Sequence, residues 1–197
     1  MMEKLSREDL MSLEEYAQKR PEFRAQVMAH KRNRRLALGE HAALYFEDRL
    51  TIQYQIQEML RAERIFEADG IAEELETYNP LIPDGSNWKA TFMLEYGDVD
   101  QRQEAVQRLI GIEDVVWVRV AGFDKAYAIA DEDLERETEE KTSTVHFMRF
   151  ELSPEMVAAA KGGAVLSAGI EHEGMAVTVD PLPAAVAQSL LGDFDQA

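Results

Sequence analysis

Cysteine is absent from all 197 residues. The chain therefore has no disulfide, no thiolate nucleophile, no cysteine-ligated zinc or iron–sulfur cluster and no thiolate-bound haem of its own. Long apolar runs are missing too. Nothing approaches the 18 consecutive apolar residues of a membrane-spanning helix, and the first twenty residues hold no apolar stretch, so no secretory signal is expected. Positive charge is scarce, with 21 Lys+Arg against 38 Asp+Glu and a formal net charge of −17. That balance disfavours general binding to a nucleic-acid backbone or an anionic membrane. Recognised catalytic signatures are lacking as well. There is no GxGxxG, no P-loop, no HxH and no HExxH, and Ser153-Pro154 reads as a helix cap rather than a nucleophile elbow. The location expected from these absences is the cytoplasm.

What is present is an apolar fraction of 46%, enough to build a core and to argue against wholesale disorder. Charge is unevenly spread. Residues 19–35 carry seven basic residues against Glu22, a net of +6, while the other 14 basic and 37 acidic residues net −23. Ser6 and Pro21 each look like the start of a short helix, the second covering about 22–33. A strand–turn–strand follows over 35–47. Asp48 then caps a helix with Ile52, Ile56, Met59 and Leu60 on one side, extending to about Phe66. Another helix ends at Tyr78 before Pro80. Residues 79–86 form the clearest linker.

Beyond that linker the order of elements recurs. A strand (88–96), helix (99–110), strand (115–120) and strand (126–130) are followed, after the acidic connector 131–140, by strand, helix, strand and strand over 144–179. Phe92-Met93 is echoed by Phe147-Met148. One such unit has too little area to bury alone, and pairing two solves the problem. The expected fold class is α+β. A helical N-terminal region with a short β-hairpin (1–80) precedes two β-α-β-β units with a C-terminal helix (87–197), which form a curved antiparallel or mixed sheet.

Three groups of residues are candidate sites. Glu47, Arg49, Tyr54, Glu58, Arg61 and Arg64 lie on or beside the helix after Asp48. There Tyr54 and Glu58 share a face, and a buried Glu58 needs a charged partner, a donor or a metal. Lys31, Arg32, Arg34 and Arg35 could contact an anion or an acidic partner, or neutralise the chain's own acids. Glu58 with His146 and His172 has the composition of a facial metal triad, although no spacing demands it.

The segments Leu38-Gly39-Glu40-His41, Gln57-Glu58-Met59-Leu60-Arg61 with Glu63-Arg64-Ile65, and Val145-His146-Phe147-Met148-Arg149-Phe150 resemble an uncharacterised bacterial family of about 200 residues, and the likeness spans the whole chain. Genes of that family often lie near genes for rubrerythrin-like and iron–sulfur oxidoreductase proteins. The resemblance therefore implies a role in redox or oxidative-stress metabolism and a partner of that kind. In one place this chain departs from the family pattern. Glu173, Gly174 and Met175 follow His172 where the family carries an aromatic residue. Three functions stay open: an accessory or interaction protein beside a redox enzyme, a metal-dependent enzyme with a His/Glu site, and a small-ligand sensor with a cleft between its paired units. No cofactor is identified.

Overall fold

The computed structural model describes residues 3–195. Its first helix, α1 (Leu13–Lys31), begins at Ser12, whose side chain accepts from the Glu15 amide. Two expected helices are here one. Ser6 caps only a single tight turn, Arg7–Asp9, and Pro21 lies inside α1 rather than at a helix start. A proline there forfeits one helical hydrogen bond. The helix continues because Tyr16 and Val27, both fully buried, and half-buried Arg20 and Phe23 make one stripe that runs across the proline.

β1 (Arg35–Ala37) and β2 (Ala42–Glu47) form the expected hairpin, turning at Gly39 with φ 77°. Asp48 caps α2 (Arg49–Glu63) by accepting from the Thr51 amide. The helix stops earlier than expected because Arg64 adopts the left-handed conformation, φ 56°. α3 (Ala68–Tyr78) packs against α2. These helices share a small core of Leu10, Ile52, Ile56, Leu60, Ile71 and Ile82. Ile82 sits in the stretch expected as a linker and is completely buried.

The repeated units appear as β3 (Asn87–Leu94), α4 (Val99–Arg108), β4 (Val116–Val120) and β5 (Ala126–Tyr127), then, after a further short strand β6 (Ile129–Ala130), β7 (Val145–Glu151), α5 (Pro154–Lys161), β8 (Leu166–His172) and β9 (Met175–Val179). α6 (Ala184–Leu191) follows. The fold is α+β, as expected. Every strand pair is antiparallel, and the strands divide between two sheets ordered β1-β2-β3-β7-β6 and β5-β4-β8-β9. First strand pairs with first strand (β3 with β7) and second with second (β4 with β8), the pattern of two units related by an approximate two-fold. The stretch 126–130, expected as one strand, is shared between the sheets. Ala126–Tyr127 pairs with β4, and Ile129–Ala130 pairs with β7. β2 pairs with β3 over six positions, so the N-terminal hairpin extends the first sheet.

Alternation along β3 sends Trp88, Ala90, Phe92 and Leu94 into the main core, where Phe46, Val118, Phe150 and Ile170 meet them. Lys89, Thr91 and Met93 fall on the opposite face, beneath the helices. Gly169 in β8 faces Trp117 across the pair. A Cβ at this position would stand 2.5 Å from the indole and 2.3 Å from the Val177 carbonyl oxygen, so only glycine fits.

One buried cation joins the parts. Arg34, 2% exposed, donates to the carbonyls of Phe46 (2.9 Å) and Glu47 (3.0 Å), to Ser189 Oγ (3.2 Å) and to Asp193 Oδ2 (2.6 Å). Asp48 Oδ2 lies 3.4 Å from its Nε and 2.5 Å from His30 Nε2. Removing one partner strands the other's charge in the interior. Arg34→Met should therefore lower unfolding free energy by about 3–5 kcal/mol in urea titrations, against about 0.5 kcal/mol for Arg61→Met on the surface. Burial raises the Asp193 carboxyl to about 6 from 3.8, against the opposing pull of Arg34. The native state then holds a proton that the unfolded chain has already lost, so this group's contribution to stability falls as pH rises from about 4 to 6. Asp193→Asn should remove that downward component from a stability–pH profile.

Candidate functional site

β7 turns His146, Met148 and Phe150 inward, and His146 is completely buried beside Phe92, its cross-strand partner. Two acids converge on it. Asp131 follows β6 in the left-handed conformation, φ 53°. Its amide donates to the Phe147 carbonyl (2.8 Å), and its Oδ1 accepts from the Phe147 amide (3.1 Å). That two-point attachment holds Oδ2 at 2.6 Å from His146 Nδ1. Glu113 lies in a tight turn, Ile112–Val115, opened by Gly111 at φ 80°. Its Oε2 is 3.8 Å from His146 Nε2. The Thr142 hydroxyl sits between them, donating to Glu113 Oε2 at 3.1 Å and lying 2.9 Å from Nε2. The Ser143 carbonyl is 3.1 Å from the same nitrogen.

The site is rich in carboxyl groups and largely buried. Burial pushes the Glu113 carboxyl above its usual range. His146 opposes the shift and nearby Glu137 adds to it. Arg136 offsets one acid, with Nη1 3.0 Å from Asp131 Oδ1. Among the described residues, Glu113, Asp131 and His146 are the one group whose ligand atoms approach closely enough to hold a metal, all within 4.8 Å. A carboxylate on one imidazole nitrogen, with the other nitrogen facing a second carboxylate, is the arrangement in which an outer acid fixes the ring of a metal-ligating histidine.

The expected site residues are distributed elsewhere. Glu58 does not join His146. Its two oxygens accept from Arg20 Nε (2.7 Å) and Nη2 (2.8 Å), and Oε1 also accepts from the Tyr16 hydroxyl (2.6 Å). Arg20 holds the Glu58 carboxyl down to about 2, with Tyr16 assisting and partial burial opposing. His172 is occupied by the Ile110 carbonyl (2.9 Å) and the Gly174 amide (3.0 Å). The triad of Glu58, His146 and His172 is thus not assembled, because each residue is on a different element with its own partners. Arg49 pairs with Asp9 (2.6 Å), Tyr54 is buried against Phe23, and Arg61 and Arg64 are exposed.

The basic segment divides. Arg34 is the buried anchor, and Arg35 pairs with Glu95 (2.8 Å) while contacting Tyr45. Lys31 and Arg32, with Arg35 beside them, border a cleft of about 750 Å³ between the helices and the outer face of the first sheet. Glu47 also lines it, accepting from Thr91 (2.8 Å) and Thr51 (2.5 Å). The cleft is not between the two repeated units. Glu113, Asp131 and Thr142 were not among the sequence candidates. Asp131 reads as the first acid of a solvated run, and Glu113 lies 33 residues before His146 with no motif linking them. The one usable signal is that Asp131 ends the hairpin echoed by Asp180 in the second unit.

A family model described as "Protein of unknown function (DUF3501)" matches residues 4–194. A crystal structure of a novel protein of unknown function from Burkholderia pseudomallei K96243 is similar at 52% identity. The match covers 98% of this chain and 100% of that one, with a TM-score of 0.90. No curated protein matches. No helix among the described residues is long and apolar enough to cross a membrane.

The Glu58–Arg20–Tyr16 group is best understood as a structural clamp between α2 and α1. Glu58→Gln should cost about 1 kcal/mol at pH 7. The native carboxyl is depressed, so its contribution is present above about 4.5 and is lost as pH falls toward 2. The variant should show a correspondingly shallower acid limb in thermal unfolding, and bound metal should not change.

Proposed function

The chain belongs to the DUF3501 family, and from the buried cluster we propose that it is a metal-dependent enzyme, with one divalent ion held by His146 and Glu113. The carrying observation is the convergence of two carboxylates and an imidazole in an interior that gives them only one arginine. Asp131 acts as the orienting acid on Nδ1, which turns Nε2 toward Glu113. An ion about 2.1 Å from each of two atoms 3.8 Å apart fits between them. The Thr142 hydroxyl and the Ser143 carbonyl, already beside Nε2, complete a mixed nitrogen–oxygen set. That donor set suits iron, manganese or zinc rather than a thiophilic ion.

What the ion supplies is Lewis acidity or a redox couple. The chain's own residues hold it, exclude bulk water and neutralise part of its charge. A shallow recess of about 340 Å³, bordered by Thr142, Ser143 and Arg136, gives small molecules an approach. A metal here also supports a role in redox metabolism for a protein with no thiols. A rubrerythrin-like or iron–sulfur partner remains part of the proposal through the family resemblance alone, and the cytoplasmic setting through the absent secretory signal and apolar runs. The accessory reading otherwise has only the acidic surface behind it.

The test is metal analysis of the untagged full-length chain after expression with iron, manganese or zinc. Close to one ion per chain is expected. Glu113→Gln should weaken binding more than tenfold, and Asp131→Asn by about 10–100-fold, with each variant's fold checked by circular dichroism. Folded wild-type protein without metal, or Glu113→Gln with undiminished metal, would overturn the proposal.

A further inference from the structure

The cleft between the helices and the first sheet has a chemistry separate from the His146 cluster. Its volume, about 750 Å³, falls in the range of small-molecule sites. Its walls are largely apolar, with Met28 from α1, Met93 from β3 and Phe147 from β7. A neighbouring recess of about 450 Å³ shares the Phe147 wall and lengthens the space. At the border stand Lys31 and Arg32, whose side chains have no hydrogen-bond or ion-pair partner among the described residues, and Arg35, which is already paired with Glu95. The negative pole of α1 accounts for cations at this position, but not for an open apolar recess beneath them. Glu47 is the acid facing the cleft, already satisfied in part by two hydroxyl donors.

We propose that this cleft binds an amphipathic organic anion, its acidic head at Lys31 and Arg32 and its apolar body against Met28, Met93 and Phe147. A neutral lipid would leave the two cations unused. An inorganic anion would leave the apolar walls wet. A cation would meet two like charges at the entrance. The remaining lone pairs of Glu47 favour a ligand that also carries an N–H or O–H donor.

The probe is 8-anilinonaphthalene-1-sulfonate, an aromatic anion with one N–H, titrated into the full-length chain by fluorescence. One saturable site is expected, with binding weakened by added salt. Decanoate should displace the probe and decanol should not. Lys31→Glu/Arg32→Glu should raise the dissociation constant at least tenfold, whereas Arg61→Glu/Arg64→Glu, with the same change in net charge, should leave it within twofold. Met93→Trp, which fills the cleft and keeps both cations, should also weaken binding at least tenfold. The proposal is overturned by the absence of a saturable site, by equal competition from decanol, by equal loss in the Arg61/Arg64 variant, or by undiminished binding in folded Met93→Trp protein.

Discussion

A guanidinium buried to 2% exposure is a constraint that the rest of the chain must satisfy. Arg34 enters the interior where α1 ends and β1 begins, and it needs acceptors from every side. Two come from the backbone at the end of β2, one from the α6 hydroxyl Ser189, and a full counter-charge from Asp193 near the C-terminus. The last segment is secured further by Phe194 packing on Trp88, with ring centroids 5.3 Å apart, and by the Asp195 amide donating to the Gly85 carbonyl. The C-terminal segment is thereby held to the α1–β1 junction by one buried charge pair. Such a pair gains little over a well-packed apolar substitute, but it is costly to break from one side only.

The antiparallel duplication decides where chemistry can collect. β3 with β7 and β4 with β8 generate two sheets, and the chain passes between them at Ala128. The His146 cluster lies at that crossing. His146 comes from a strand of the first sheet, Asp131 from the end of the crossing strand, and Glu113 from the turn that leads into the second sheet. Seams of this kind leave side chains from several elements pointing at one another without a regular ladder to absorb them. Polar groups held there must satisfy one another or bind something else.

The outer face of the first sheet has a different character. Helices cover it incompletely, and the covering edge carries part of the basic segment. The C-terminal part of the +6 segment is divided in use. Arg34 serves the interior, Arg35 pairs with Glu95 at the cleft edge, and Lys31 and Arg32 remain over the apolar cleft. A net charge of −17 hides this division, because the sum does not report which cations are already spent on the protein's own acids.

Periodicity and punctuation alone determined most of the elements. α5 follows directly from Ser153-Pro154, β9 from the recurring order of elements, and Asp48 marks the start of α2. The α+β class and the repeated order of elements follow from the same local signals, because capping, alternation and turn formation act within a few residues. Where long-range packing competes, the sequence misleads. Pro21 looks like a helix start, yet a continuous buried stripe carries the helix through it, and 126–130 looks like one strand because its division depends on two different partners, β4 before it and β7 after it. The site was legible only at His146. Its partners are 15 and 33 residues away in sequence, and an acid that will be buried looks, in one dimension, the same as one that will be solvated. The missing cysteines settled what chemistry is excluded. Only the tertiary structure decided which carboxylates meet the histidine, because desolvation and proximity are properties of the folded chain.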